Sequence, residues 1–468
     1  MATLTRLCII LLAVLFLIGP AYAATYTCGT NGTNNSCDPG TLTSLVGSAS
    51  HGDTINIARG SHNWTSSVTL NKRITIMGTG GCPNCGEEDA FSTASWSTQL
   101  NLSGNLAFLI KGASGSNPEF VRISGIFFNG NGQSFNYSPY QNTGVISMSD
   151  GNRMRYRIDN NRFYQSGNGE QNVIRNNNLY GYGVVDHNYD STSSGYGGNS
   201  RFFHNTDHDG DEGDTGWTIP VQWGSENFHF MEDNTFIYPP YPCGIPHGLT
   251  DQVGGGRLVG RHNYIENGYW INHGTDTAWP IRGGVAMEIY ENTMVNDTSG
   301  CSAGLMFTAF NYHSGSARFY SNDLTNFQSA VKVVVMRSSD PRSSCGTCGQ
   351  PACVGIDGPG PPSGYPCLDQ VGTGIAAGLG ITNTQPQGRN PAYVWNITRT
   401  NVSRFVDGNY GGSYATEGVD IFTSQDSSAR PAGYVAAAYP HNFVSGAPSL
   451  PMDFTAPAPP FLNPVILQ

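Results

Sequence analysis

One phrase recurs along this chain. It is written "YRIDNNRF" at 156–163, "HFMEDNTF" at 229–236, "GRHNYI" at 260–265, "EIYENTM" at 288–294 and "RFYSNDL" at 318–324. Aligned on an asparagine, these five copies and the stretch around Asn188 put Asn161, Asn188, Asn234, Asn263, Asn292 and Asn322 in one column, with spacings of 27, 46, 29, 29 and 30 residues. A repeat of this length implies a stack of like units, each supplying apolar surface that its neighbour cannot bury alone. Three residues before each Asn stand Ile158, Val185, Met231, Gly260, Ile289 and Phe319. Two residues after it stand Phe163, Asp190, Phe236, Ile265, Met294 and Leu324. Mostly apolar columns flanking a repeated Asn predict coils of short strands that turn one face inward, with the amides forming a ladder from rung to rung.

Composition agrees. Glycine is abundant (60 residues), charged residues make up 12%, and lysine occurs only at Lys72, Lys111 and Lys332. Long helices with charged faces do not fit such a chain; a turn-rich β protein does.

With the rungs between about 145 and 330, the stretch "GDTINIARGSHNWTSSVTLNKRITIMGTG" (52–80) resembles the opening coil of the right-handed parallel β-helix proteins, the pectin-lyase-like superfamily. The resemblance implies an all-β solenoid with long inter-rung loops and an N-terminal cap. It constrains activity far less, since this scaffold carries lyases, hydrolases, epimerases, adhesins and tail-spike domains.

Residues 1–23 have the pattern of a signal peptide: Arg6, the apolar run "LCIILLAVLFLIG" and the small-residue site "AYA". The apolar run is shorter than the ~20 residues of a membrane span. The expected location is therefore secreted or extracytoplasmic. Residues 24–446 are expected to form one β-helix domain, with a cap at 24–50, early coils at 51–135 and late coils or a C-terminal cap from 373. Within it, 338–372 is a Cys-, Pro- and Gly-rich excursion, and 447–468 is a Pro-rich tail.

Ten of the 11 cysteines lie after the leader, an even set that predicts disulfides in an exported chain. Cys28 with Cys37 is the expected local pair. Cys243 and Cys301 share a column and are expected to pair. "CPNC" (82–85) and "CGTCGQPAC" (345–353) also have metal or redox spacing.

The net charge of −11 becomes more negative once Arg6 is lost, which argues against nonspecific binding to nucleic acid or anionic membrane. Function should sit in the loops, because the rungs are packing units. The longest gap between rungs holds Asp207, Asp209, Asp211, Glu212 and Asp214, closely spaced oxygen donors that suit calcium, although the spacing is not that of an EF-hand. A solvated acidic loop is the alternative.

The segment "NHGTDTAWPIRGG" (272–284) brings an imidazole, a carboxylate and a fixed cation within ten residues: His273, Asp276 and Arg282. Cleavage of a uronate polymer by elimination needs a cation on the carboxylate and a base for the adjacent ring proton. These residues match those needs, or they simply brace their own loop. Carrying the rung register outward places Tyr182, Phe228 and Arg257 in the column of Arg155, and Phe230 and Glu288 in that of Arg157. That column is either a sugar-binding groove or a surface covered by loops.

The favoured reading is a calcium-assisted lyase acting on an acidic polysaccharide. A noncatalytic adhesin or glycan-binding protein is the rival. A glycoside hydrolase with paired carboxylates drawn from Asp209, Asp211, Asp251 and Glu288 is a third possibility.

Overall fold

The corner between two successive strands is only two residues long, and its chemistry repeats in the computed structural model. The residue before each column asparagine takes positive φ: Asn160 at 53°, His187 at 53°, Asp233 at 57°, His262 at 55°, Glu291 at 56° and Ser321 at 52°. A side chain there is strained by roughly 1–2 kcal/mol, so each corner needs a compensating anchor. The next residue provides it. Asn234 donates from Nδ2 to the carbonyl of Val185 one rung earlier (2.8 Å) and to Oδ1 of Asn263 one rung later (3.0 Å). The same ladder joins Asn161 to Asn188 (3.1 Å), Asn188 to Asn234 (3.0 Å), Asn263 to Asn292 (2.9 Å) and Asn292 to Asn322 (2.9 Å). All six are at most 2% exposed. The next corner has Ile397 in the ladder position, and the amide column stops there.

The structure describes residues 23–30, 37–79, 98–103, 106–111, 119–130, 144–149, 154–165, 172–177, 181–192, 201–206, 221–240, 247–274, 283–297, 308–334, 371–374, 388–410 and 417–445. Among these, the strands stack on three faces. The first face is a twelve-stranded sheet running from Thr25–Cys28 to Ile421–Ser424, and the second has ten strands. The third is built of a six-stranded and a five-stranded sheet. Neighbouring strands on all three faces are parallel, as in Met154–Asp159 beside Gly181–Asp186. The chain is a parallel β-helix.

Register bears out the sequence columns. Ile158, Val185, Met231, Gly260, Ile289 and Phe319 are successive partners on the first face, and Phe163, Asp190, Phe236, Ile265, Met294 and Leu324 on the second. Both sets are buried. The interior Asp190 accepts a hydrogen bond from the Tyr238 hydroxyl at 2.7 Å.

The N-terminal cap is a helix, Pro39–Ser48, with Asp38 as N-cap; its side chain accepts from the backbone N of Thr41. Thr25–Cys28 is already a rung strand rather than part of the cap, since it pairs with Thr54–Ile57. Cys28 and Cys37 form the expected disulfide. Cys243 and Cys301, residues 1–22 and the 447–468 tail lie outside the described residues. No helix among the described residues is long and apolar enough to cross a membrane.

The strands Ala392–Trp395, Thr398–Thr400 and Arg404–Tyr410 pair in parallel with the preceding rung on the three faces, one of the late coils expected after residue 373. Beyond the last rung strand, residues 434–445 run across the outward side of the first face. Tyr434, Ala437 and Phe443 pack there with Val184, Phe228, Phe230, Val259, Tyr290, Tyr320 and Trp395 in a second apolar cluster, separate from the core inside the coils.

Candidate functional site

The outward column expected to form a groove is present in the predicted register. Arg155 pairs with Tyr182, and Arg157 with Val184, which is followed by Phe230, Val259 and Glu288. The column is closed, however. Phe228 is fully buried and Arg257 is 2% exposed. Arg157 binds the Asp186 carboxylate through Nε (2.9 Å) and Nη2 (2.7 Å) and donates from Nη1 to the carbonyl of Phe443 at 3.1 Å. Glu288 accepts from the backbone N of Gly224 at 2.9 Å and from the Tyr434 hydroxyl. Aromatic and Arg side chains standing outward thus form the floor for residues 434–445. A small cavity remains at one edge, lined by Arg155, Tyr182, Gly183, Glu226, His441 and Phe443. Within it the Arg155 guanidinium lies 5.1 Å from the Tyr182 ring centroid. Burial, reinforced by the positive charges of Arg261, Arg155 and Arg157, pushes His441 down to about 3.

A different cluster stands on the outward side of the third face. Ile271 pairs with Asn311, and Asn311 with Lys332, so His273 and His313 follow two equivalent strand ends one coil apart. Their ring centroids are 6.5 Å apart. The backbone around both is tightly held. Asn272 accepts from the His313 backbone N at 2.7 Å and donates to the Ser314 carbonyl at 2.6 Å, and the Ser314 hydroxyl lies 2.8 Å from the carbonyls of both His273 and Gly284. Gly283 and Gly284 fit because Cβ atoms there would lie 2.5 Å from Ser314 Oγ and 2.8 Å from the Gln252 side chain.

His313 is 8% exposed, and neither ring nitrogen has a hydrogen-bond partner among the described residues. Burial pushes it down to about 3, with the charges of His273, Lys332 and Arg201 acting in the same direction and Asp251 opposing. Its imidazole is therefore neutral. Asp251, Arg201 and Lys332 are each 8% exposed. Tyr269 is raised by burial, with Arg201 and Asp251 acting on it in opposite senses, so its phenol keeps its proton at neutral pH. Two cations, two imidazoles, a phenol and two carboxylates, Asp251 and the Asp407 that pairs in register with Lys332, thus bear on one patch of an otherwise acidic protein.

Of the residues singled out in the sequence, the structure brings His273 into this patch. Asp276 and Arg282 lie outside the described residues, as do Asp207, Asp209, Asp211, Glu212 and Asp214. Among the described residues no group of three or more His, Cys, Asp or Glu could hold a metal ion. The carboxylates Asp251 and Glu288 stand on different faces, so they cannot flank one scissile bond as a hydrolase pair. His313, Lys332, Arg201 and Tyr269 were not anticipated. Counting outward from the rung strands on the third face gives the signal that would have found them.

No family model matches the sequence, and no curated protein matches it. Solved structures with a similar chain path include ORF18 of Geobacillus virus E2 (12% identity, TM-score 0.34, covering 66% of this chain and 57% of that one). A PL6 family polysaccharide lyase, Pedsa3628 from Pseudopedobacter saltans, is similar at 13% identity and TM-score 0.38 over 81% of this chain and 77% of that one. The PL6 family alginate lyase AlyGC is similar at 12% identity and TM-score 0.27 over 66% of this chain and 40% of that one. This chain therefore spans less than two thirds of the ORF18 and AlyGC chains. The fold rests on the strand register, not on these likenesses.

Proposed function

We propose that this protein binds an acidic polysaccharide on its third face and cleaves it by β-elimination. The observation that carries the proposal is His313: an imidazole nine-tenths buried, neutral, unbonded at both nitrogens among the described residues, and beside His273, Lys332 and Arg201. A buried polar group left without partners costs roughly 1–3 kcal/mol, a cost that a bound ligand would recover.

The residues divide the work as follows. Lys332 and Arg201 face the uronate carboxylate and draw charge from it, which acidifies the adjacent ring C–H. His273, half-buried and so reachable, takes that proton while its buried neighbour stays neutral. The C–O bond to the next sugar breaks, a C=C bond forms, and Tyr269 supplies a proton to the departing oxygen.

Incubation with uronate polymers should yield products with the ultraviolet absorbance of an unsaturated uronate. His273→Ala should lower kcat by about 10²–10⁴, and Lys332→Ala should raise KM. Retention of polymer without any unsaturated product would replace this reading with that of a noncatalytic glycan-binding protein.

Calcium belongs to the proposal through Asp207, Asp209, Asp211 and Asp214, which follow directly on the third-face strand Arg201–Thr206. Oxygen-rich donors of this kind would place a hard cation next in sequence to that face. Calorimetric titration of the parent against an Asp209→Ala, Asp211→Ala variant tests it; equal affinity in the two rejects the site.

A further inference from the structure

Asp53 is 3% exposed and stands at the first rung, where Thr25–Cys28 pairs with Thr54–Ile57. Its carboxylate accepts two short bonds from backbone amides: Ser50 N to Oδ2 and Ala24 N to Oδ1, both at 2.6 Å. The carbonyl of Ala24 accepts from Thr54 N at 2.9 Å, so residue 24 is fixed on both sides. These amide bonds, Ser50 first, hold the Asp53 carboxyl below its ordinary value, so it is charged at neutral pH.

Among the described residues no cation closes an ion pair with it. Lys72 acts on Asp53 only at longer range, since its ammonium is bound by the carbonyls of Val46 (2.9 Å), Gly47 (2.8 Å) and Ala49 (2.8 Å) at the end of the cap helix. Of the other titratable residues nearby, His51 accepts at Nδ1 from the backbone N of Arg73 at 3.2 Å. A buried anion served only by neutral amides lacks the partner that would best stabilise it. One of the two amide nitrogens bound to it belongs to Ala24, which follows "AYA" at 21–23, and Ala23 and Ala24 are both exposed.

We propose that Ala23–Ala24 is a processing site and that the α-ammonium it releases on Ala24 is the missing cationic partner of Asp53. Hydrolysis by a leader peptidase adds one water across the amide: Ala23 leaves as a carboxylate, and the Ala24 nitrogen gains protons to become an ammonium. Nothing need move afterwards, because the nitrogen already stands at ion-pair distance. Processing therefore locks the first strand onto the solenoid, and an unprocessed or extended chain lacks the lock.

The chain is expressed with its leader in a secreting host, and the product is examined by N-terminal sequencing and intact mass. A start at Ala24 is expected, and any other start overturns the proposal. In the processed protein the ion pair raises the α-amino pKa above its ordinary ~8, so acylation of that amine at pH 8 should be roughly tenfold slower than in Asp53→Asn. Equal rates overturn it. Should Asp53→Asn fail to fold, a chain with one extra Gly before Ala24 serves in its place. It should melt a few degrees below the Ala24-start form, and the difference should fade as pH rises past the raised α-amino pKa, where the ammonium loses its charge. Identical melting of the two at pH 7 overturns the proposal.

Discussion

Asn263 donates from Nδ2 to Oδ1 of Asn292 at 2.9 Å, while its own Oδ1 receives both the backbone N and the Nδ2 of Asn234, at 3.1 and 3.0 Å. One side chain thus serves two corners whose preceding residues, Asp233 and His262, have positive φ of 57° and 55°. Leucine at 263 would fill similar space and satisfy none of these groups. Asn263→Leu should cost about 2–5 kcal/mol, the sum of a few buried groups left unbonded. Urea unfolding checks it; an unchanged midpoint would show the ladder to be incidental.

The inward column of Ile158, Val185, Met231, Ile289 and Phe319 has one gap, at Gly260, and Trp270 fills it from the third face. A Cβ at 260 would lie 2.3 Å from Cη2 of Trp270 and 2.7 Å from Cζ2. Gly260→Ala should therefore destabilise by about 1–3 kcal/mol even though alanine is the better strand residue. Gly260→Ile would match the column and fare worse. The double variant with Trp270→Ala should recover part of the loss, and strictly additive effects would show that the two do not share the space.

The ladder was legible in the sequence because the corner joining the first and second faces is two residues long at every coil that carries a ladder asparagine, so register survives from coil to coil. Trp270 and Gly260 were not, since their complementarity lies between faces joined by segments of unequal length. The same irregularity hid the candidate site. His273 and His313 are equivalent in space, but residues 298–307 are inserted between them, and the asparagine spacing gives no count on that face. The outward Arg and aromatic column was read correctly as a column. What covers it could not be read, because 434–445 carries no repeat and is specified only by the surface it meets.

His313 and His441 are both pushed down to about 3 by burial. The unfolded chain takes protons on these rings near pH 6.5, whereas the folded protein refuses them. Their contribution to stability is therefore whole above about 6.5 and is lost as pH falls towards 3, at a limiting slope of about 1.4 kcal/mol per pH unit for each ring. His187, raised mainly by its bond to Asp186, acts in the opposite sense as pH rises above 6.5. Urea unfolding at pH 7, 6 and 5 should give falling stability, with a shallower fall in His313→Gln. A parallel fall in that variant would place the titration elsewhere.

One guanidinium holds the middle of residues 434–445. Arg261, fully buried, donates to Glu232 Oε2 at 2.7 Å, to the Tyr290 hydroxyl at 2.8 Å, and to the carbonyls of Ala437 and Ala438 at 2.8 Å each. Glu232 in turn accepts from the backbone N of His441 at 2.8 Å, and the Tyr439 ring lies against His262, tilted by 32°, with ring centroids 3.7 Å apart. Arg261→Ala removes four bonds and leaves Glu232, also fully buried, without its counter-charge, at a cost of about 3–5 kcal/mol. Part of that cost can be relieved locally by releasing the segment, which would bare Tyr290, Tyr320 and Trp395 while the asparagine ladder stays intact. The expected result is rapid protease cleavage within 434–445 and new binding of an apolar dye, with strand content by circular dichroism unchanged. Glu232→Gln, which keeps an acceptor for Arg261, should be the milder change. Cleavage no faster in Arg261→Ala than in the parent would mean that the apolar cluster alone holds the segment and that the ion pair contributes little.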